Sequence, residues 1–430
     1  MLKRARLVLH VLKSGWRVVV FGPGSHQSPL RSTGSARFVL LCHERKVVAF
    51  FGSARDVPDD PIVSVIIPSF NVDAYLDDCV RSVVEQTYEH LDIVLVDDGS
   101  TDSTGVIVDR WATTDDRIVA VHQLNQGLGA ARNAGVGAST GSFIFFLDSD
   151  DMLPSDSIGR MVDSARRSGS DIVSGVAWRF DSSGTWRADQ YRAPFDRDTI
   201  ATHLFREPLL VYDQMACSKL IRRDFWEQEQ LAFPTGTTYE DLEVVMRAHC
   251  RAASVDLVAA PSYWWRRRES GDVSITQDRY RVGSTAARFD ALRRADSFLR
   301  DEAPVEVWVA HGVKVLLVDV RLYSRLLEGA GEAFVDEFME SAGRLASAIA
   351  PDAVCAVNPV MRQLHRYLTE ANTDGVIACV RLLSGSGGRS VGQAARGIGW
   401  FVKNDAGALL ELAASSSPLK PRRVRRATST

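Results

Sequence analysis

Several markers of familiar protein classes are missing from this sequence. No apolar run reaches the ~18–20 residues that a helix needs to cross a bilayer, and the longest candidates, such as Val313–Val320, are short and interrupted. The N-terminus is basic, but it has no clean apolar core followed by a small-residue cleavage site. We therefore expect a cytoplasmic protein without a membrane span.

Neither sign of charge predominates in the chain. The chain has 51 Lys and Arg against 54 Asp and Glu, a formal net charge of -3, so the molecule as a whole gives no sign of nucleic-acid binding. The six cysteines show no close pairs and no zinc-type spacing: Cys42, Cys79, Cys217, Cys250, Cys355 and Cys379. Because a disulfide framework is not expected at this length and spacing, we predict buried or free thiols in a reducing compartment.

What the sequence does have is a change of pattern along its length. Its 430 residues exceed the ~100–200 of one typical domain, so we expect more than one unit. Composition and periodicity divide the chain into an N-terminal extension of unknown role, an α/β domain, a helical domain and a flexible basic tail, over residues 1–60, 61–276, 277–383 and 384–430.

The N-terminal extension begins with helical periodicity. Between residues 2 and 17, apolar residues at helical spacing lie beside a basic stripe, which suits a helix on the anionic inner face of a membrane. A helix packed on the protein's own body is the commoner alternative. Further on, Trp16–Phe21 and Phe38–Phe51 are apolar and β-branched enough to be strands. The basic tail at Lys420–Arg426 also suits peripheral membrane contact.

Residues 61–276 alternate between strand and helix patterns. The predicted strands are Val63–Ile67, Asp92–Val96, Ile118–His122 and Ser142–Leu147, and the predicted helices are Val72–Gln86, Thr104–Trp111 and Leu128–Ala138. This order predicts an α/β fold with a doubly wound, mostly parallel, Rossmann-like sheet. In such sheets ligands bind at the carboxyl ends of the strands.

The following segment is strongly helical in pattern. Amphipathic helices are predicted at Tyr280–Leu299, Val305–Glu328, Glu332–Ala350 and Pro359–Thr369. We therefore expect a C-terminal α-helical domain appended to the sheet domain.

Two acidic clusters follow predicted strands and should face one crevice. After the fourth strand, Asp148 and Asp150 alternate, which suits a hard divalent cation held through oxygen, with phosphates completing its shell. Acidic turns after strands are also common for structural reasons alone. After the second strand, Asp97 and Asp98 can accept hydrogen bonds from a base or a ribose.

A third acidic pair, Glu240-Asp241, stands at the start of a helical run. Because a helix dipole favours carboxylates in its first turn, a structural explanation is sufficient here. The functional alternative is a general base that takes a proton from an acceptor hydroxyl.

Five segments that contain these residues occur in a familiar order. They are SVIIPSFN (Ser64–Asn71), SVVEQTYEHLDIVLVDDGSTD (Ser82–Asp102), NQGLGAARNAGVGASTGSFIFFLDSDD (Asn125–Asp151), YED (Tyr239–Asp241) and YWWRRR…SIT (Tyr263–Thr276). Together they closely resemble the family 2 glycosyltransferases of the GT-A fold, of the type that builds bacterial cell-surface glycans. The resemblance covers about half of the chain and identifies residues 61–276 as the catalytic domain.

The resemblance implies a nucleotide-sugar site at the first two strand ends. Three residues would line the nucleotide pocket: Pro68, Ser69 and Asn71. Asp98 would contact the base, with support from Asp97. Arg132 would approach the nucleotide or its phosphates, although an ion pair on a helix surface explains it as well.

The resemblance also implies the groups that carry the reaction. Asp148 and Ser149 would face the ribose and a metal ion, Mg²⁺ or Mn²⁺. Asp150 would be the principal metal ligand, assisted by Asp148. Asp241 would be the catalytic base, and Glu240 is the second candidate for that role or orients the acceptor.

The segment Tyr263–Arg268 departs from the family pattern Tyr-x-Tyr-Arg-x-Arg followed by Ser-Ile. Trp265 takes the second aromatic place, and Gly271–Val273 separates the arginines from the serine. Arg266 or Arg268 could neutralise a diphosphate; an interface strand with outward arginines is the alternative. The Gln-x-x-Arg-Trp element of processive members is not evident, which argues against a membrane-embedded polymer synthase.

The implied reaction is an inverting transfer of a sugar from a nucleotide-sugar donor, a UDP-sugar by default, to a glycan or lipid-linked acceptor. Two alternatives stay open. A sugar-phosphate nucleotidyltransferase usually has a Gly-rich, basic loop after the first strand, which this chain lacks. A non-catalytic sugar-nucleotide-binding or scaffold protein is disfavoured by the intact Asp98, Asp150 and Asp241.

Overall fold

The computed structural model describes residues 6–12, 15–21, 36–43, 46–53, 57–188, 194–269, 274, 283–385, 404–405 and 408. Within these ranges, no helix is both long and apolar enough to cross a membrane. The cysteines whose side chains are described form no disulfide: Cys79, Cys217, Cys250, Cys355 and Cys379. The basic tail predicted at Lys420–Arg426 lies outside the described residues.

Two antiparallel hairpins precede the main sheet. They pair β1 (Arg6–Leu12) with β2 (Gly15–Phe21) and β3 (Ala36–His43) with β4 (Lys46–Ser53). The helix predicted between residues 2 and 17 is therefore wrong wherever the structure describes this segment. Its β-branched valines lose side-chain freedom in a helix and favour paired strands. The predicted strand Trp16–Phe21 is confirmed, whereas Phe38–Phe51 divides between β3 and β4.

The main part of the chain is built from alternating strands and helices. In chain order they are β5 (Val63–Ser69), α1 (Asp73–Val84), β6 (Leu91–Asp97), α2 (Thr104–Thr114), β7 (Ile118–His122), α3 (Leu128–Ala138), β8 (Phe143–Phe146), α4 (Ser157–Ser168), β9 (Ile172–Asp181), β10 (Gly184–Arg187), β11 (Thr199–Thr202), β12 (Lys219–Arg222), α5 (Arg223–Gln228), α6 (Asp241–Arg251) and β13 (Val255–Arg266). From β5 to β8, every predicted element is present within a few residues of its predicted bounds.

Among the described residues these strands form one nine-stranded sheet. Its order is β11-β13-β9-β12-β8-β5-β6-β7, with β10 paired to β9. β8, β5, β6 and β7 are mutually parallel. β12 lies antiparallel between β8 and β9, so that β9 and its parallel neighbour β13 point the same way as β8. The predicted mostly parallel α/β sheet is confirmed, and the carboxyl ends of β5, β6, β8 and β13 lie at one edge.

Glycines in α3 let this helix lie close to the sheet. A Cβ atom on Gly135 would lie 2.3 Å from Cγ2 of Ile66 on β5. A Cβ atom on Gly129 would lie 2.3 Å from the carbonyl oxygen of Pro234, in the loop before α6. Because a residue with a side chain does not fit either place without a shift of backbone or core, these glycines fix α3 between the sheet and that loop.

The predicted C-terminal helical region is confirmed, with more helices than expected. It contains α7 (Ser284–Glu302), α8 (Val305–Lys314), α9 (Arg321–Ser324), α10 (Glu332–Ala346), α11 (Pro351–Ala356), α12 (Pro359–Thr369) and α13 (Thr373–Gly385). Between α8 and α9, the residues Val315–Val320 form a π-helical turn. The single helix predicted for Val305–Glu328 is thus interrupted and ends early, and α13 was not predicted. Residues 283–385 are called the helical region below.

The two hydrophobic cores interlock at α7. Phe289 and Leu292, on the first half of this helix, belong to the core of the helical region. Phe298 and Leu299, on its second half, belong to the core of the sheet. Conversely, Tyr239, two residues before α6, belongs to the core of the helical region. The helical region is therefore packed into the α/β part rather than attached by a linker alone.

Candidate active site

Both acidic clusters predicted from the sequence lie at the carboxyl edge of the sheet. Asp97 is the last residue of β6, and Asp148 follows β8 on the other side of β5. The loops after β5 and β6 are tied together, because the N–H of Asp98 donates to the Ser69 carbonyl at 2.9 Å. The N–H of Thr101 donates to Oδ1 of Asn71 at 2.8 Å. The ends of β5 and β6 therefore form one connected surface.

The loop after β5 carries the predicted nucleotide-pocket residues. Pro68 lies beside Val96 in the parallel pairing of β5 and β6, and the side chain of Ser69 is buried. Asn71 is exposed and has a φ of 50°, a left-handed conformation that costs less for asparagine than for most residues. Its amide is held by Thr101, so this strained corner is fixed in place.

Asp97 is held ionised by its neighbours. Its Oδ1 accepts from the N–H of Ser100 at 3.0 Å, and its Oδ2 lies 3.1 Å from Nδ1 of His122. Burial raises the pKa of Asp97, but the hydrogen bonds from Ser100 and His122 outweigh burial and lower it. Nε2 of His122 also lies 3.0 Å from Asp109, and the two carboxylates raise the pKa of the imidazole.

Asp98 is a buried clamp on the loop before α3. Its Oδ1 accepts from Nε2 of Gln123 at 2.6 Å and from the N–H of Gln126 at 2.9 Å. Its Oδ2 accepts from the N–H of Gly127 at 2.8 Å. These contacts orient the N-terminus of α3. The predicted contact of Asp98 with a nucleotide base stays a prediction.

Arg132 joins two of the predicted motifs inside the protein. Its side chain is 3% exposed, Nη2 donates to Oδ1 of Asp148 at 2.7 Å, and Nη1 pairs with Oε1 of Glu240. Burial lowers the pKa of the guanidinium, but Asp148 and Glu240 outweigh burial and hold it well above its ordinary value. Arg132 does form ion pairs, but inside the protein, so the alternative of an ion pair on a helix surface is wrong.

The acidic segment after β8 divides into outer and inner carboxylates. Asp148 and Asp150 have side chains 32% and 15% exposed, whereas Ser149 and Asp151 are buried. Oδ2 of Asp151 accepts from the hydroxyl of Tyr263 at 2.5 Å. Burial raises the pKa of Asp150 and raises that of Asp151 further, with help from the neighbouring carboxylates. Asp151 fixes the segment, and the outer pair faces the edge of the sheet.

The predicted arginines reach this acidic segment from the end of β13: Arg266 is its last residue and Arg268 lies two residues beyond it. The two are called the arginines of β13 below. Nε of Arg268 donates to Oδ2 of Asp150 at 2.8 Å, and Nε of Arg266 donates to the Asp150 carbonyl at 2.6 Å. Both guanidinium groups lie near the ring of Tyr75 on α1, with Cζ 4.9 Å and 5.4 Å from its centroid. Both arginines therefore contact the acidic segment itself, and their predicted contact with a diphosphate stays a prediction. Gly271–Val273, Ile275 and Thr276 lie outside the described residues.

Asp241 is the first residue of α6, on the same edge. Its Oδ2 accepts from the N–H of Ala216 at 3.4 Å. Burial raises the pKa of Asp241, while Arg132 and Arg288 oppose that shift. Glu240 is 4% exposed and committed to Arg132, so Asp241 is better placed than Glu240 to receive a proton from an incoming group.

The carboxylates after β8, a buried arginine of α3 and the start of α6 thus meet in one place. Residues 64–228 match the family described as Glycosyl transferase family 2. The matched residues form a family 2 glycosyltransferase domain. The family match begins on β5 and includes both strand-end clusters and Arg132, whereas Asp241 and the arginines of β13 lie beyond it.

Relatives of the glycosyltransferase domain are bacterial. The chain is 33% identical over 215 residues to the putative glycosyltransferase EpsH of Bacillus subtilis, which covers 48% of this chain and 61% of EpsH. It is 28% identical over 228 residues to the glycosyltransferase GlyG of Streptococcus pneumoniae, which covers 50% of this chain and 74% of GlyG. The match thus leaves more than a third of EpsH without a counterpart.

The fold extends beyond the family match. A crystal structure of S. aureus TarS in complex with UDP-GlcNAc superposes with a TM-score of 0.64 at 18% sequence identity. The superposition covers 75% of this chain and 92% of that one. Because the sequence identity is low, this likeness concerns the GT-A fold, including part of the helical region.

Sequence reasoning missed residues that complete the site from elsewhere in the chain. Tyr263 donates to Asp151, and Arg288 of the helical region lies near Asp241. The charged residues Lys314 and Asp319, which flank and interrupt the apolar run of the π-helical turn, were a usable signal, because a charge in an apolar segment is normally paired.

Proposed function

We propose that this protein transfers a sugar from a nucleoside-diphosphate sugar to a hydroxyl group of a glycan or lipid-linked acceptor, with inversion at the anomeric carbon. A UDP-sugar is the first candidate donor. The observation that carries the proposal is the meeting of Asp148, Asp150 and Asp241 at the carboxyl edge of the sheet, with Arg132 bridging two motifs. The family match, together with a Bacillus subtilis relative described as a putative teichuronic acid biosynthesis glycosyltransferase, supports a role in cell-surface glycan synthesis.

The nucleoside is proposed to lie over the ends of β5 and β6. Pro68, Ser69 and Asn71 line this part, and the clamp made by Asp98 holds the adjoining loop. Asp97 stabilises the same surface through Ser100. The S. aureus TarS structure contains UDP-GlcNAc, which makes uracil the first base to test.

The diphosphate is proposed to lie over Asp148–Asp150, facing the arginines of β13. The donor set there fits a hard divalent cation, because two partly exposed carboxylates stand close together and burial raises the pKa of Asp150. The described residues contain no cluster of three or more acidic, His or Cys ligands, whereas Mg²⁺ is commonly held by one or two carboxylates plus substrate phosphates. Asp150 and Asp148 would hold Mg²⁺ or Mn²⁺, which would offset charge on the departing diphosphate.

Arg268 is proposed to control whether Asp150 is available as a metal ligand. In the present state its Nε donates to Oδ2 of Asp150. Arg268 and Arg266 would turn toward the diphosphate when a donor and a cation occupy the edge, because a guanidinium binds phosphate oxygens at least as well as a single carboxylate oxygen.

Asp241 is proposed to take the proton of the acceptor hydroxyl. The acceptor oxygen then forms a bond to the anomeric carbon as the bond from that carbon to the diphosphate oxygen breaks. One displacement inverts the centre. The Ala216 N–H orients the carboxylate, and Arg132 holds Asp241, through Glu240, in register with the donor segment.

Release of nucleotide from a panel of sugar nucleotides tests the proposal. Wild type, Asp150→Ala and Asp241→Asn are compared with Mg²⁺, with Mn²⁺ and with EDTA. We expect metal-dependent release from one donor, and a loss of about 100- to 10,000-fold in Asp241→Asn. Glu243→Gln is the matched control, because Glu243 lies two residues further along α6 and pairs with Arg247 and Arg294 rather than with a residue of the site.

The alternatives give different results in the same experiment. Binding of a sugar nucleotide by calorimetry without turnover, with acceptor extracts present, would indicate a binding protein. Formation of a sugar nucleotide from a sugar phosphate and a nucleoside triphosphate would indicate a nucleotidyltransferase. A folded sample that binds none of the donors contradicts the proposal.

Peripheral contact with the inner face of the membrane is proposed on the charge of Lys420–Arg426 alone. The helix that first suggested such contact is replaced by β1 and β2. Flotation of the full chain with anionic vesicles should bring the protein to the lipid fraction at low salt. Absence of the protein from that fraction refutes this part of the proposal.

A further inference from the structure

The helical region contributes a buried charge cluster beside the candidate base. Oδ1 of Asp319 accepts from Nη2 and Nε of Arg288 at 2.7 and 3.2 Å, and its Oδ2 lies 2.8 Å from Nζ of Lys314. The side chains of Asp319, Lys314 and Arg288 are 2%, 4% and 20% exposed. Two cations and one anion leave a surplus of positive charge, which is costly in the interior unless a further anion is near.

Asp241 supplies that anion from the α/β part. It interacts electrostatically with both Arg288 and Lys314. Burial lowers the pKa of Lys314 to about 8, while Asp319 and Asp241 oppose the shift. With Asp241 included, the four groups carry two positive and two negative charges, so the candidate base balances the cluster.

A first mechanical link runs from Arg288 through the residue two positions before Asp241. Cζ of Arg288 lies 5.0 Å from the ring centroid of Tyr239. The Tyr239 hydroxyl is 3.1 Å from the hydroxyl of Tyr323 and 3.2 Å from that of Ser284, both in the helical region. Tyr239 has a φ of 59°, a conformation that persists only where surrounding contacts enforce it. The helical region therefore holds the backbone turn that delivers Asp241.

A second link runs from Lys314 to the group that orients the carboxylate. Nζ of Lys314 donates to Oε1 of Gln214. Two residues later, the N–H of Ala216 donates to Oδ2 of Asp241. The loop that contains both residues thus has one end on the helical region and the other on the candidate base.

We propose that the cluster Arg288–Asp319–Lys314 positions the carboxylate of Asp241, so that the helical region completes the active site. Arg288 and Lys314 act through Asp241 and are positioning residues. The inference rests on the proposed function for the role of Asp241 as the base. It makes the helical region a required part of the catalytic unit.

The charged groups that face Asp241 come from both sides. Arg132, Asp148 and Glu240 face it from the α/β part. Arg288 and Lys314 face it from the helical region. A variant at Arg288 removes one cation and leaves the three groups of the α/β part in place, so its effect on the protonation of Asp241 can be separated from theirs.

A stability cycle on the full chain tests the placement without reference to activity. Melting temperatures are measured for wild type, Arg288→Met, Asp241→Asn and the double variant. Arg288→Met leaves the carboxylates of Asp319 and Asp241 without one of their cations. We therefore expect the drop in melting temperature that it causes to be at least halved when Asp241→Asn is also present, because one of these carboxylates is then absent. The matched control is Arg294→Met, also on α7, whose partner is Glu243 of α6 at 3.1 Å; its effect should be the same in both backgrounds.

The pH profile of kcat/KM tests the positioning role. Removing the cation should raise the pKa of Asp241, so the acid limb of Arg288→Met should move up by about one pH unit, a tenfold change in proton affinity. Arg288→Lys should return the limb most of the way to the wild-type position, and Arg294→Met should leave it unmoved. Donor affinity by calorimetry should change less than twofold in all three variants.

The outcomes separate this inference from the proposed function. An active enzyme whose acid limb stays in place in Arg288→Met overturns the inference, whatever happens to stability. Additive melting-temperature losses overturn it as well. Coupled losses in a protein that turns over no sugar nucleotide uphold the placement of Asp241 by the cluster and reject the proposed transfer.

Discussion

Replacing Arg132 by leucine removes the cation that joins the segment after β8 to the start of α6. The guanidinium is 3% exposed and contacts Asp148 and Glu240. Glu240 is 5% exposed in its side chain and would be left as a buried, unpaired charge. Asp148 is 32% exposed, so water can screen its charge.

The expected loss in the free energy of unfolding follows from this difference. Breaking a buried ion pair by removal of one partner costs about 3–5 kcal/mol. Because only Glu240 is fully enclosed, we expect a value near the lower end, about 3 kcal/mol. The matched control is Arg81→Leu on α1, which breaks an exposed pair with Asp78 and should cost less than about 1 kcal/mol.

The loss should depend on pH in a defined direction. Burial already raises the pKa of Glu240 to about 7 in the folded protein, although Arg132 opposes the shift. Without Arg132, this pKa rises further above the ~4.3 of the unfolded chain. The folded variant then binds a proton that the unfolded chain does not, so its stability falls as the pH rises between these two pKa values. The loss relative to wild type is therefore larger at about pH 8 than at about pH 5.5.

Urea unfolding in EDTA measures both quantities. Adding Glu240→Gln to Arg132→Leu should restore about 1–2 kcal/mol at about pH 8, because the unpaired charge is gone. A loss that is equal at both pH values, together with no recovery in the double variant, would refute the view that Arg132 neutralises a buried carboxylate.

Three further predictions concern the frame of the site. Gly135→Ala should lower the free energy of unfolding by about 1–3 kcal/mol, since its Cβ would lie 2.3 Å from an isoleucine methyl group of β5. The control Gly137→Ala on the same helix meets nothing within 4 Å and should be neutral or stabilising. Equal urea midpoints for the two variants would refute the packing argument. Asp98→Ala should cost about 3 kcal/mol or more and speed amide exchange in residues 123–127, and unchanged exchange there would contradict the clamp. The pKa of His122 is raised in the folded protein. Its charged form therefore stabilises the fold fully below the ordinary histidine pKa, and this stability is lost as the pH rises through the folded-state pKa. The melting-temperature difference between wild type and His122→Asn should therefore be larger at about pH 6 than at about pH 9.

The elements that carry the acidic clusters could be predicted because their patterns are local. Val63–Ser69 is buried at every position, so a continuous apolar run identifies it as a central strand. The four-residue strand Lys219–Arg222 was not predicted, because its pairing with two distant strands is not visible in so short a segment. The N-terminal helix was predicted wrongly because a basic stripe at helical spacing outweighed the valines that form β1 and β2.

The positions of the strand-end carboxylates could be predicted, whereas the contacts between distant parts of the site could not. Strand ends indicated where Asp97 and Asp148 would lie, since parallel strands finish at one edge. The partners of Arg132 could not be predicted, because 108 residues separate it from Glu240. Arg288 was missed for the same reason, as its neighbour Tyr239 belongs to another part of the chain.

The interlocked cores at α7 limit how this protein can be divided or recombined. A fragment that ends before Ser284 would expose the apolar faces that Phe298 and Leu299 cover, and would lose the partners of Tyr239. Such a fragment should aggregate rather than serve as a minimal enzyme. Exchanging the helical region between relatives would likewise require the second half of α7 to stay with the sheet it packs on.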